Sequence, residues 1–192
     1  MEKSTKQAVL LGARQCFFQH GYSASNMTLI SQYTGYSRVT VHKYLHNKDD
    51  AFRQVCQDFQ INATQASQLV LEEHEFDCWQ SIRQVMLIWM TPTFEEVSDE
   101  QVMGDLKYHA QTIAKDIFDE ARKSVSNMCA QLLNRGIQRN EIQLSKLGIT
   151  SNQLSDILVA CLDGVRGHMA NQEVKAACDN ILKIYELATQ AR

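Results

Sequence analysis

The stretch TGYSRVTVHKYLHNKDD, Thr34 to Asp50, carries three stop-and-start signals in close succession. Gly35 can take the positive φ that ends a helix. Ser37 and Asn47 are residues that cap helix N-termini by accepting a backbone N–H bond. Asp49 and Asp50 follow Asn47 in a first turn, where the helix dipole favours acids. The spacing predicts a short helix from Arg38 to about Leu45, fenced at both ends. At about 100° per residue, Val41, Tyr44 and Leu45 share one side of it. Val39, His42 and Lys43 point the other way, flanked by Arg38 and Thr40. Apart from Val39, that outer face is charged or hydrogen-bonding.

Upstream, Asn26 can cap a helix running to Thr34 with Ile30 inward. Two short helices around Gly35 make a helix-turn-helix. Ser31 is small enough for a helix crossing, and Ile30, Tyr36, Val41 and Tyr44 or Leu45 supply the inner faces. A solvated surface helix would show a similar polar face. The shortness and the double capping say more. A major groove about 12 Å wide admits a helix, whose first residues then reach base edges. Before this pair, Val9, Ala13 and Phe17 recur every four residues with Leu10 beside them, which predicts a helix from 4 to about 20 closed by Gly21.

Residues 9 to 52 resemble the DNA-binding domain of the TetR family of transcriptional regulators. The family shows an apolar stripe ending in Phe, three residues and Gly-Tyr; here Phe17, Gly21 and Tyr22 stand in FFQHGY. It then shows a helix bearing Ile-Ala and ending in Ala-Gly, a Ser-x-x-Thr-Leu-Tyr-x-His-Phe recognition helix and a Lys-Glu pair. Ile30, Gly35, Ser37, Thr40 and Lys48 match directly. Ser31 stands for Ala, Val41 for Leu, His42 for Tyr, Tyr44 for His and Leu45 for Phe. The resemblance implies that Asn26 and Thr28 lie against the DNA backbone within reach of a base. It implies phosphate contacts from Thr40, His42, Tyr44 and Lys48, and base-facing places for Arg38, Val39 and Lys43, with Ser37 opening the helix. Arg38 is the candidate reader of guanine, and Val39 can meet a thymine methyl. His42 departs from the family's Tyr: an imidazole reaches less far and titrates, which adds a mild pH dependence.

Charge supports a small polyanion-binding head. Residues 1–50 hold six Lys/Arg and three acids, a balance of +3. The other 142 residues hold 13 Lys/Arg and 19 acids, a balance of −6. One Pro and eight Gly in 192 residues favour long helices over a turn-rich β fold. No run of apolar residues is long enough for a membrane span, and the N-terminus lacks the features of a signal peptide. A cytoplasmic protein is therefore expected. Six Cys are scattered without a CxxC pair, which fits reduced, buried thiols. Asp105 and His109, four apart, could hold a metal. They lack a third ligand, so a solvated helical pair is the plainer reading. No cofactor is expected.

The second half predicts helices near 77–90, 98–112, 113–136, 151–170 and 173–190, with Pro92, Gly136 and Gly148 marking ends and Thr150 or Ser151 a start. The expected fold is all-α: a three-helix head (1–48) and a larger helical domain (49–192) for ligand binding and dimerisation. Leu154, Ile157, Leu158, Cys161, Leu162 and Val165 make one apolar stripe. Ile181, Leu182, Ile184, Tyr185 and Leu187 make another. On the residues alone these serve equally as an intramolecular core; the family resemblance implies a homodimer. Trp79, Met86, Trp89, Met90, Phe94, Met103, Tyr108 and Phe118 suit an adaptable pocket for a small apolar or amphipathic ligand, and equally an ordinary core. No GxSxG, P-loop, GxGxxG or HExxH motif is present, so no enzyme is expected. The resemblance points to a dimeric repressor released from a palindromic operator in double-stranded DNA by a small molecule. Two alternatives stay open. One is a chromosome-organising or protein-partnered DNA-binding factor without such a ligand. The other is an effector-binding or scaffolding protein that has lost DNA binding.

Overall fold

The computed structural model describes residues 2–90, 96–168 and 171–191. Among these residues the chain forms nine α-helices and no strand: α1 Glu2–His20, α2 Met27–Thr34, α3 Arg38–Tyr44, α4 Lys48–Glu72, α5 Cys78–Met90, α6 Glu100–Ile113, α7 Lys115–Gln138, α8 Ser151–His168 and α9 Asn171–Thr189. The all-α expectation is met. Pro92 and Phe94 lie outside the described residues. No described helix is long and apolar enough to cross a membrane.

The punctuation of the sequence becomes caps. Asn26 Oδ1 accepts the Leu29 N–H at 3.0 Å and Ser37 Oγ accepts the Thr40 N–H at 3.2 Å. Asn47 Oδ1 accepts the Asp50 N–H at 2.8 Å. Gly35 ends α2 with φ 69°, a left-handed conformation that a Cβ would strain. Asp99 Oδ1 accepts two N–H groups at the start of α6. Thr150 and Gln153 form a reciprocal capping box at α8, each side chain accepting the other's backbone N–H. Gly136 corrects its expectation. It does not end a helix but lies buried inside α7, where a Cβ would sit 2.6 Å from Cys78 Cβ of α5. It is small because two helices touch there.

The chain divides into two compact units, residues 1–62 with 92–119 and residues 63–91 with 120–192. In the first, Val9, Ala13, Cys16 and Phe17 of α1 pack with Ile30, Val41, Leu45, Phe52 and Leu106, all 0% exposed. Phe17, Tyr22 and Phe52 form an aromatic cluster at its centre. In the second, α5 presents Cys78, Trp79, Ile82, Val85, Met86, Trp89 and Met90 to Leu132 and Leu133 of α7, to Leu154, Leu158 and Leu162 of α8, and to Leu182 of α9. The Trp79 indole N–H donates to Thr189 Oγ1 at 3.0 Å, which satisfies a buried polar atom.

The helix crossing that shapes the head depends on Gly12 rather than on Ser31. A Cβ at Gly12 would lie 2.6 Å from Thr34 Cα. In an exposed helix, Gly→Ala stabilises by about 1 kcal/mol. Here α1 and α2 must part to admit the methyl, so Gly12→Ala is expected to lower stability by about 1–3 kcal/mol. An unchanged or raised urea midpoint for that variant would show that the two helices separate at no cost.

Candidate nucleic-acid interface

The head builds an exposed, polar helix on a dry support. Ile30, Val41 and Leu45 are wholly buried. Tyr36, expected inside, is 36% exposed; it lies just past Gly35, where the left-handed backbone turns the chain outward. On the other side of α3, Arg38, His42 and Lys43 are exposed, and Val39 is 82% exposed. Thr40 and Tyr44 are half-buried. Asn26 and Thr28 are exposed at the start of α2. Tyr44 packs against the core of this unit, while the others are wholly or partly open to solvent along α2 and α3.

Several of these side chains are already held. Arg38 Nη2 donates to Thr28 Oγ1 at 2.5 Å. The Ser37 and Thr40 hydroxyls are 3.0 Å apart. His42 Nδ1 lies 3.0 Å from the His46 carbonyl. A carbonyl only accepts, so Nδ1 carries the proton. The far nitrogen, Nε2, can then donate to an anion only when the ring is protonated. The Lys43 ammonium lies 5.3 Å from the Tyr44 ring centroid. Lys48 Nζ donates to the Tyr22 carbonyl at 3.2 Å and sits 4.1 Å above the Tyr22 ring. Both acids after Lys48 are engaged by the head's own donors. The Tyr22 hydroxyl donates to Asp49, and the His46 N–H and Gln54 Nε2 donate to Asp50 at 3.0 Å each. Burial, followed by the Asp49 contact, pushes the Tyr22 phenol well above its ordinary range.

The Asp105–His109 pair is not the solvated pair expected. Asp105 accepts the Ser23 N–H at 2.9 Å and the Ser23 hydroxyl at 2.5 Å, while the His109 ring lies 4.2 Å from that of Tyr22. Burial raises the Asp105 pKa, but the bonds from Ser23 outweigh it and hold the carboxyl below its usual range. Ser23 and Asp105 both approach the same ring nitrogen of His109, at 3.2 and 3.4 Å. A charge-relay triad needs the acid and the hydroxyl on opposite nitrogens. The cluster clasps α6 to the turn after α1. A second clasp joins α4 to the start of α7. Arg53 donates to both Asp116 oxygens at 2.7 and 2.6 Å and to the Ile113 carbonyl at 2.5 Å, which holds the Asp116 carboxyl down at about 2. Sequence spacing signalled neither clasp. Among the described residues no group of three His, Cys, Asp or Glu is placed to hold a metal.

Of the eight residues expected to line a pocket, Phe94 lies outside the described residues, and the other seven are divided between the two units. Trp79, Met86, Trp89 and Met90 lie along α5, 1–8% exposed, in the core of the second unit. Met103 and Phe118 pack against the core of the first. Tyr108 is 65% exposed. It follows the buried Leu106 by two positions, about 200° around the helix, and so faces away from that core. Five of the six thiols are buried, and Cys161 is exposed. Desolvation pushes Cys56, Cys78 and Cys129 up to about 12, which makes them inert nucleophiles.

No protein-family profile matches the chain. Over 192 residues it is 21% identical to the HTH-type transcriptional repressor AcnR of Corynebacterium glutamicum, a match covering 98% of this chain and 94% of that one. Its fold is similar to that of a TetR-family transcriptional regulator from Agrobacterium tumefaciens, with a TM-score of 0.67, 18% identity and full coverage of both chains. It is also similar to SmeT, the repressor of the Stenotrophomonas maltophilia multidrug efflux pump SmeDEF. There the TM-score is 0.69 and the identity 16%, over 96% of this chain and 90% of that one. SmeT in complex with triclosan aligns with a TM-score of 0.67. The chain thus shares its fold with TetR-family transcriptional regulators of known structure.

Proposed function

We propose that this chain is a DNA-binding transcriptional regulator: a dimeric repressor that holds a palindromic operator and is released from it by a small apolar or amphipathic molecule. The observation that carries the reading is α3. It is a seven-residue helix, capped by Ser37, that shows Arg38, Val39, His42 and Lys43 to solvent while Val41 anchors it. Residues 1–48 are assigned to DNA binding and 49–192 to ligand binding and dimerisation. Asn26, Thr28, Thr40, His42, Tyr44 and Lys48 would meet the backbone, and Arg38, Val39 and Lys43 the bases. Ile157, at 41% exposure, Cys161, Ile184 at 64% and Leu187 at 59% give α8 and α9 an exposed apolar seam beside their buried stripes. A Cβ at Gly164 would meet nothing within 4 Å. Both features suit the approach of a second subunit. No catalytic step is assigned, and the site of action is the cytoplasm, beside the chromosome.

The test is selection of bound double-stranded fragments by the purified protein. A near-palindromic site is expected, because a two-fold dimer presents two identical helices. Arg38→Ala should relax one base pair per half-site, at a cost of about 1–3 kcal/mol in discrimination. Recovery of fragments with no shared sequence would end the reading.

The ligand has a rival account. Trp79, Met86, Trp89 and Met90 are 1–8% exposed and belong to the buried core of the second unit, as ordinary core residues would. This supports a chromosome-organising or protein-partnered factor without a small-molecule ligand. Triclosan, found on SmeT, is the first compound to titrate. Operator affinity indifferent to it and to a broad set of apolar and amphipathic compounds would favour the ligandless account.

A further inference from the structure

The hydrogen bond between Arg38 and Thr28 joins the first turns of α3 and α2 across ten positions of sequence. Both side chains are exposed, and neither bond partner is needed to satisfy a buried atom. Among the described residues Thr28 is the one hydrogen-bond partner of the Arg38 side chain, and no carboxylate pairs with it. Thr28 is a good post. It is β-branched and therefore restricted at χ1. It also stands in a turn whose start is fixed by the Asn26 cap.

A guanidinium is planar, so holding one Nη leaves little freedom for the rest of the fork. Arg has five N–H donors, and Thr28 takes one. The remaining donors include two adjacent ones that could engage the O6 and N7 of a guanine together. An unheld arginine at a helix start would spread over many rotamers and lose them all on meeting a base. One that is already oriented loses fewer, and holds its preference for the correct base more sharply.

We infer that Thr28 is a positioning residue for Arg38, so that the sequence choice of α3 is set partly by a hydroxyl on α2. The inference rests on the DNA-binding reading above. It assigns Thr28 a role in base choice that acts through Arg38, in addition to the backbone contact given to it above.

The experiment uses the full-length chain. The base pair that Arg38 reads is first identified as the one relaxed in Arg38→Ala. Affinities are then measured for the selected site, for the site changed at that pair, and for unrelated DNA. Thr28→Val keeps the branched shape and removes the hydroxyl. It should reduce discrimination at that pair, taken as the ratio of the two site affinities, by roughly three- to tenfold, while the urea midpoint followed by helical circular dichroism, which reports an intact head, stays as in the wild type. Thr28→Ser should restore discrimination. In an Arg38→Ala background, Thr28→Val should reduce discrimination at that pair no further. An equal loss of discrimination in that background would mean that Thr28 reads the base itself, and would overturn the inference. So would a Thr28→Val protein that discriminates like the wild type. A wild-type protein that selects no sequence fails earlier and differently, because it removes the DNA-binding reading and this inference with it.

Discussion

Phe17→Ala should destabilise the N-terminal unit by about 3–5 kcal/mol, the usual cost of deleting a buried ring. Phe17 is 0% exposed, and its ring meets Phe52 edge-on at 5.2 Å and stacks near Tyr22 at 6.1 Å. Tyr22 in turn meets Phe52 at 5.2 Å, so removing Phe17 takes one side from a three-ring cluster. Aromatic pairs of this geometry add about 0.5–1.5 kcal/mol beyond their buried area. Domains have only about 5–15 kcal/mol in total. The loss should therefore shift the urea midpoint followed by helical circular dichroism and impair DNA binding without touching a contact residue. A change worth less than about 1 kcal/mol would show that the neighbours collapse into the space. In that case the cluster is not the support on which α3 rests.

On the proposed function, salt should weaken operator binding steeply. A dimer that neutralises about six to ten phosphates loses about 10³–10⁵ in affinity between 50 and 200 mM salt. The body of the chain is acidic, so this sensitivity must come from the head, whose first 50 residues carry a balance of +3. Lys48 gives the sharpest test. Its ammonium spends one donor on the Tyr22 carbonyl and has two left. If one of them meets phosphate, Lys48→Ala should flatten the plot of log K against log salt by about one to two units for the symmetric pair. Lys48 also braces the turn after α1, so its loss can lower affinity at every salt concentration. The slope separates the two effects: a parallel plot would leave Lys48 as a brace and remove it from the phosphate set.

The elements that short-range spacing encodes were legible before any coordinates. A cap is a contact over two or three residues, and an apolar stripe recurs over three or four. Thus Asn26, Ser37 and Asn47 could be read as caps, Gly35 as a left-handed break, and the bounds of α2 and α3 and the start of α4 to within about a turn. The same logic misread Gly136. A glycine that ends a helix and one that lets two helices touch look alike in one dimension, and only the Cys78 side chain tells them apart. The exposure of Tyr36 was missed because the turn that carries it out of the core has no period.

By itself, then, the sequence determined an all-helical chain, a doubly fenced α3 and the polar face that α3 shows. These follow from local hydrogen bonding and from periodicity, both of which are written into neighbouring residues. Only the tertiary structure decided that Gly12 is the crossing point of α1 and α2 and that Thr28 holds Arg38. It alone brought α6 into the unit of the head, where Asp105 meets Ser23 across 82 positions of sequence. It also divided the aromatic and methionine residues between two cores. The physical reason is that packing joins side chains by shape and by complementary donors, with no regard to their separation along the chain. One surface leucine, core leucine or helical aspartate carries no mark of the partner that it will find.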